Sequence, residues 1–218
     1  MKAIARALAA IVLGLSPCLL FSQLSPVPYG PDTDGPGPTF SSELVSTIFP
    51  GKYASIRKVD FRNFRFPDLG ISLKNGHFQH DEESDHQSVD LDEIHYLNSP
   101  RSSSGGSALV LSSWSAVGGS SSQGEQARAF TVSGGRLRLV QVIAWSTHSG
   151  VRPANSFDAT ANVLSIRSDH YIPGDAHCCI SAVDVVTFHW DGTHFVQIDI
   201  RTELSEYGKQ EGKTLPQR

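Results

Sequence analysis

The most regular alternation of apolar and polar positions lies near the C-terminus. Ala182–Trp190 and Thr193–Arg201 flank the dipeptide Asp191-Gly192, a pattern that predicts a β-hairpin closed by a two-residue turn. Such a turn sets Trp190 opposite Thr193, His189 opposite His194 and Phe188 opposite Phe195. It puts Val183, Val185, Thr187, Val196, Ile198 and Ile200 on the core face. A second hairpin is predicted at Ile71–Lys74, Asn75-Gly76 and His77–His80, with a type I′ turn because both central residues accept positive φ. Ser88–Leu97 alternates through Val89, Leu91, Ile94 and Tyr96, and its one phase slip predicts a β-bulge. Ala108–Ser113, Ala127–Val132, Leu137–Trp145 and Val163–Ser168 are further strands, with Ser133-Gly134-Gly135 turning the second of these into the third.

One short amphipathic helix is expected over Ser42–Phe49. Ser41 or Ser42 caps it, Leu44, Val45 and Ile48 share a side, and Pro50-Gly51 ends it. No helical period runs convincingly over about twelve residues anywhere from Ser88 onward. The expected fold is therefore all-β: an antiparallel sandwich or partly open barrel of about eight or nine strands, with one short N-terminal helix.

The ends of the chain read differently. Residues 1–22 carry Lys2 and Arg6 ahead of an apolar run from Leu8 to Phe21, shorter than the roughly 20 residues a membrane span requires. This segment is expected to be a secretory signal peptide, cleaved so that the mature chain begins near Gln23. Cys18 follows Pro17, not the small residue that lipoprotein processing prefers. Residues 23–40 hold five prolines and three glycines in eighteen positions and are expected to form an extended linker. Asp32 and Asp34 in it resemble the start of a calcium loop, but no glutamate completes one. The globular domain is expected at 41–204, followed by a polar, frayed tail over 205–218. Ser102–Ser107 and Gly118–Gly124 read as flexible loops.

Composition agrees with a globular β domain. Hydrophobic residues are 39% of the chain and charged residues 18%, with 19 glycines and 12 prolines. Net charge is −4, and loss of Lys2 and Arg6 leaves 16 basic against 22 acidic side chains, or −6. An acidic protein has no overall electrostatic reason to seek nucleic acid or an anionic membrane. Cleavage also removes Cys18, leaving Cys178 and Cys179 side by side. Outside the cytoplasm such a pair is prone to oxidise. A bond between neighbours closes a strained ring, since their Cα atoms lie about 3.8 Å apart against the usual 4.4–6.8 Å. A vicinal disulfide between Cys178 and Cys179 in a monomer is expected, with a turn-forming role.

Candidate chemistry is sparse. His189 and His194, if opposite, suit two imidazoles on one zinc, with His177 or Asp175 as a third ligand; half-buried imidazoles covering apolar neighbours are the expectation. The stretch from His77 to His86 holds three histidines and four acidic residues, and a solvated loop is expected there, because the spacing matches no closed site. Ile56–Phe66 interleaves Arg57, Lys58, Arg62 and Arg65 with Phe61, Phe64 and Phe66, and a strand with buried aromatics and outward arginines is expected. G-x-S-x-G, G-x-x-x-x-G-K-[ST] and H-E-x-x-H are all absent. No cofactor, metal ligand or catalytic residue is assigned.

The phrase Gly174-Asp175-Ala176-His177-Cys178-Cys179-Ile180-Ser181, followed by Thr187-Phe188-His189-Trp190-Asp191-Gly192 and Phe195, resembles a group of uncharacterised secreted bacterial proteins. Those carry a Cys-Cys-Pro-Ser motif before a C-terminal β-hairpin. Val59–Phe64 and Leu73–Gly76 are similar to that group's opening strand and first hairpin. Ile180 stands where the group has proline, and Asn98-Ser99-Pro100-Arg101 where many members have an Asp- and Gly-rich loop. The resemblance implies bacterial origin, export and β architecture.

Three functions follow as expectations. The first is a non-enzymatic domain, secreted or periplasmic, that binds an envelope component, a small ligand or a saccharide. The second is a hydrolase of cell-wall or polymeric substrate using two carboxylates about 5–10 Å apart in a cleft. The third is a metal-handling protein using the histidines.

Overall fold

A computed structural model describes residues 39–66, 69–82, 85–98, 105–118, 120–146, 154–176 and 179–215. The leader, the linker up to Pro38, His177 and Cys178 lie outside the described residues. Among the described residues twelve strands, all paired antiparallel, form two main sheets and one small one. The first sheet runs β1 (Phe40–Ile48), β8 (Arg136–Ser146), β7 (Ser120–Ser133), β6 (Ser107–Gly118), β5 (Asp85–Leu97) and β4 (His77–Glu82). The second runs β12 (Phe195–Leu204), β11 (Ala182–Trp190), β10 (Val163–His170) and β9 (Asn155–Asp158). β2 (Arg65–Phe66) and β3 (Ile71–Ser72) pair only with each other.

The six-stranded sheet is buried on both faces. On one face, Leu109, Leu111, Ala127, Ala129, Ile143 and Trp145 meet Leu164, Ile166, Val186 and Phe188 of the four-stranded sheet. On the other, Ala108, Val110, Phe130, Val132, Leu137 and Leu139 are covered by the segment from Phe49 to Leu73. Its central strands accordingly carry short continuous buried runs, Ala108–Leu111 on β6 and Ile143–Trp145 on β8. The cover is aromatic: Phe130 lies 5.0 Å from Phe61 and 5.8 Å from Phe49, and Phe64 lies 5.1 Å from Phe66. Each such pair contributes about 0.5–1.5 kcal/mol beyond its burial.

Asn75 and Gly76 have φ of 54° and 88°, as a type I′ turn requires. The strands it joins separate at once, however: β3 pairs with β2, and β4 with β5. The phase slip in β5 is a bulge between Leu91 and Glu93. The Gly118–Gly124 stretch is not a loop, since Ser120–Gly124 pairs with β6 as part of β7. Ile56–Phe66 is not one strand but two 3-10 turns, Ile56–Lys58 and Phe61–Asn63, followed by β2. Asp60 caps the second turn by accepting from the Arg62 and Asn63 amides. Its burial pattern is the expected one, with Phe61, Phe64 and Phe66 inside and the four basic residues outside.

The expected helix over Ser42–Phe49 is overturned. Phe40–Ile48 is β1, paired with β8 from Phe40↔Trp145 to Ile48↔Arg138. Val45, Thr47 and Ile48 are β-branched and stiff at χ1, and β8 offers an open edge that satisfies their backbone. The polar tail is also more ordered than expected. Ser205 caps the short helix α1 (Glu206–Gln210), its hydroxyl accepting from the Gly208 amide at 3.0 Å and donating to Ile180 O at 2.6 Å.

The C-terminal hairpin has a different register from the expected one. The observed pairs are Trp190↔Phe195, His189↔Val196 and Phe188↔Gln197, with a bulge before Thr187↔Asp199. Asp191 is the cause. Its carboxylate accepts from the Thr193 and His194 amides at 2.7 and 2.9 Å and from the Thr193 hydroxyl at 2.7 Å, which opens the connection to four residues. The core face therefore holds Val186, Phe188, Trp190 and Phe195, with Ile200 packed against them. Val183, Val185 and Thr187 face the other way on β11, while Val196 and Ile198 are 39% and 59% exposed.

Candidate functional site

The observed register separates His189 from His194, so the facing pair of half-buried imidazoles expected from the sequence does not form. His189 now faces Val196 and is exposed, while His194 sits in the turn with Nδ1 3.3 Å from Asp191. Burial works against the Asp191 charge, but the His194 amide and the Thr193 hydroxyl and amide outweigh it and hold the carboxyl down to about 2. Asp175 is committed to structure: it accepts from the Ile172 and Ser181 amides, both at 3.0 Å, and from the Ser181 hydroxyl. It thereby folds the β10–β11 connection that carries Cys179, whose amide donates to Ala176 O at 3.0 Å. Cys178, the other half of the expected disulfide, lies outside the described residues.

The His77–His86 stretch forms β4 and the start of β5, not a loop. Two of its three histidines pair with carboxylates: His77 Nδ1 lies 2.6 Å from Asp90 and His86 Nδ1 2.9 Å from Asp81. The hydrogen bond to Asp90 raises the His77 pKa, and that from His86 lowers the Asp81 pKa. Among the described residues no three histidine, cysteine or acidic side chains converge as a metal site would require.

The arrangement with the most open chemistry lies on the outer face of the four-stranded sheet. Strand alternation builds it. Leu164 and Ile166 point β10 into the core, so Ser165 and Arg167 point out. Val186 and Phe188 do the same on β11, leaving Val185 and Thr187 outward. Cross-strand register then aligns Ser156, Ser165, Thr187 and Asp199 in one row and Arg167, Val185 and Arg201 in the next. Strands stand about 4.8 Å apart, so the three hydroxyls span about 10 Å, and the arginine row runs about 7 Å further along the strands.

All of these but Asp199 line a shallow groove of about 370 Å³, with Asn155 at its β9 edge. Asn155 is tied to the first sheet through Glu125 Oε2 at 2.6 Å. Glu203 braces both guanidiniums, 2.8 Å from Arg201 Nε and 3.4 Å from Arg167 Nη2. The Arg201 hydrogen bond, opposed by partial burial, keeps the Glu203 carboxyl below its ordinary pKa. Arg167 Nε is buried and has no hydrogen-bond partner among the described residues. The groove thus combines hydroxyls, two oriented guanidiniums and an apolar floor at Val185. Its parts come from four strands and leave no local motif, which is why sequence reading missed it.

Arg128 was also missed. It is 1% exposed on β7, where Nη1 donates to Ser112 Oγ at 3.0 Å, Nη2 donates to Gln126 Oε1, and the guanidinium stacks 5.2 Å from the Phe66 ring centre. These contacts anchor the aromatic cover. No protein-family model, curated protein or solved structure matches the chain.

Proposed function

We propose that the chain is an exported, non-enzymatic binding domain that takes a saccharide of the cell envelope in the outer groove of its four-stranded sheet. The observation that carries this reading is the row Ser156–Ser165–Thr187 beside Arg167 and Arg201, with Val185 between them. A sugar presents hydroxyls around its edge and C–H groups on its face. The edge matches the hydroxyl and guanidinium donors, and the face matches the valine floor. Arg167 and Arg201 stand beside the acids Asp199 and Glu203, so the groove favours a hydroxyl-rich ligand over a strongly charged one. Among the described residues, no helix is long and apolar enough to cross a membrane. The vicinal Cys178–Cys179 bond belongs to the same proposal, as a stiffener of the corner that Asp175 already folds.

The lining contains no carboxylate, whereas the hydrolase alternative needs two. Glycan-array screening of the mature protein beside its Ser165→Val and Arg167→Ala variants tests the reading. Binding of a defined glycan class by the parent, lost in both variants, is expected. Equal binding by all three would overturn it.

A further inference from the structure

Among the described residues, the two main sheets leave β1 and β12 as edge strands on the same side of the sandwich. Gln141 on β8 joins them, donating to Ser42 Oγ and Phe195 O while accepting from the Phe195 amide. Among the described residues, the exposed large apolar side chains other than Tyr207 sit on these two strands: Leu44 and Ile48 on β1, Val196 and Ile198 on β12. An open edge with apolar side chains and no proline is a template for another strand. β12 has ten residues, none of them proline.

The charges on β12 identify which strand that is. We propose that β12 pairs antiparallel with β12 of a second copy about a two-fold axis at Ile200, joining two four-stranded sheets into one of eight strands. A continuous sheet must keep core faces on one side, so residues of like parity face each other. Centred on Ile200, Asp199 lies opposite Arg201 of the second copy, and Arg201 opposite its Asp199. Centred on Arg201, the pairing stacks arginine on arginine and Asp199 on Glu203. Centred on Asp199, it stacks aspartate on aspartate. Centred on Thr202, it sets Arg201 opposite Glu203 but overlaps only Ile200–Leu204 and leaves Ile198 uncovered. Like charges directly opposite disfavour a pairing and unlike charges favour it, so the Ile200-centred register is the one that joins favourable charges to a long overlap, Val196–Leu204. The pairing also takes Ile198 out of water.

This dimer departs from the monomer expected from sequence, and it stands independently of what the groove binds. It does place the two grooves on one continuous surface, with both Arg201 side chains beside the junction.

Sedimentation velocity on the mature protein over a range of concentrations tests it. A species of twice the chain mass is expected, growing with concentration. Asp199→Arg and Arg201→Asp should each weaken self-association about tenfold or more, and the double exchange D199R/R201D should restore it. Ile198→Lys, at a solvent-exposed site, should give a monomer with an unchanged circular dichroism spectrum. Monomer at every concentration up to millimolar would overturn the proposal. So would a dimer indifferent to both single reversals, or a folded double exchange that stays monomeric.

Discussion

Phe188 and Ile198 lie ten residues apart on one hairpin, and the four-residue turn at Asp191 gives them opposite roles. Phe188 is 1% exposed within the core between the sheets, whereas Ile198 is 59% exposed in the bulge of an edge strand. Truncating a buried phenylalanine removes its transfer free energy and leaves a cavity, so Phe188→Ala should cost about 3–5 kcal/mol. Ile198→Asp exposes no cavity and buries no charge, so its cost should stay within about 1 kcal/mol, the span of strand propensity at an edge. The two-residue turn would instead bury Ile198 and make the aspartate an unpaired core charge costing several kcal/mol. Urea unfolding separates these outcomes, read at submicromolar protein so that self-association adds nothing, with equal m-values confirming a common mechanism. If Ile198→Asp proves as damaging as Phe188→Ala, the register argued from Asp191 is wrong.

Gly208→Ala should loosen α1 by about 1–2 kcal/mol, because a Cβ there would lie 2.1 Å from Ser181 O; faster hydrogen exchange at the Lys209 and Glu211 amides reports it, and unchanged exchange contradicts it. Asp191→Ala should cost about 1 kcal/mol at neutral pH, less than the full pKa shift implies because the side chain is 38% exposed. The folded value near 2 lies below the ordinary 3.8, so this stabilisation is complete above about pH 4 and vanishes as the pH falls through 2. Acid unfolding curves of parent and variant should therefore converge there, and a gap that persists at pH 2 would contradict the turn geometry. Intact-mass measurement of exported protein should give a chain starting near Gln23 and two hydrogens lighter than the dithiol form. Retention of Met1, or uptake of two thiol-reagent equivalents without reduction, would refute export or the disulfide respectively.

Local signals were legible where local chemistry decides. The Asn75-Gly76 turn follows from positive φ at both residues, and the slip between Leu91 and Ile94 is a bulge in the structure. Asp191-Gly192 carried the same turn signal but folded otherwise, because only Gly192 has positive φ and the aspartate binds the amides ahead of it. The segment Phe40–Ile48 has apolar spacing compatible with helix or strand, and only the distant β8 decides between them. The expected strand at Ala127–Val132 falls short of β7 because Ser120–Gly124 has the composition of a loop, and pairing with β6 is what makes it a strand. The groove was invisible because Ser156, Ser165, Thr187 and Arg201 are spread over 46 positions and meet only through register.

Amide chemical-shift mapping on the isotopically labelled mature protein, titrated with the best oligosaccharide from the glycan array, tests the binding proposal most directly. An open groove with a few neutral hydrogen bonds of about 0.5–1.5 kcal/mol each gives an affinity near millimolar. The predicted result is saturable shifts confined to Ser156, Ser165, Arg167, Val185, Thr187 and Arg201, with Arg167→Ala weakening binding about tenfold. Saturable shifts that cluster elsewhere, with this face silent, would contradict the account.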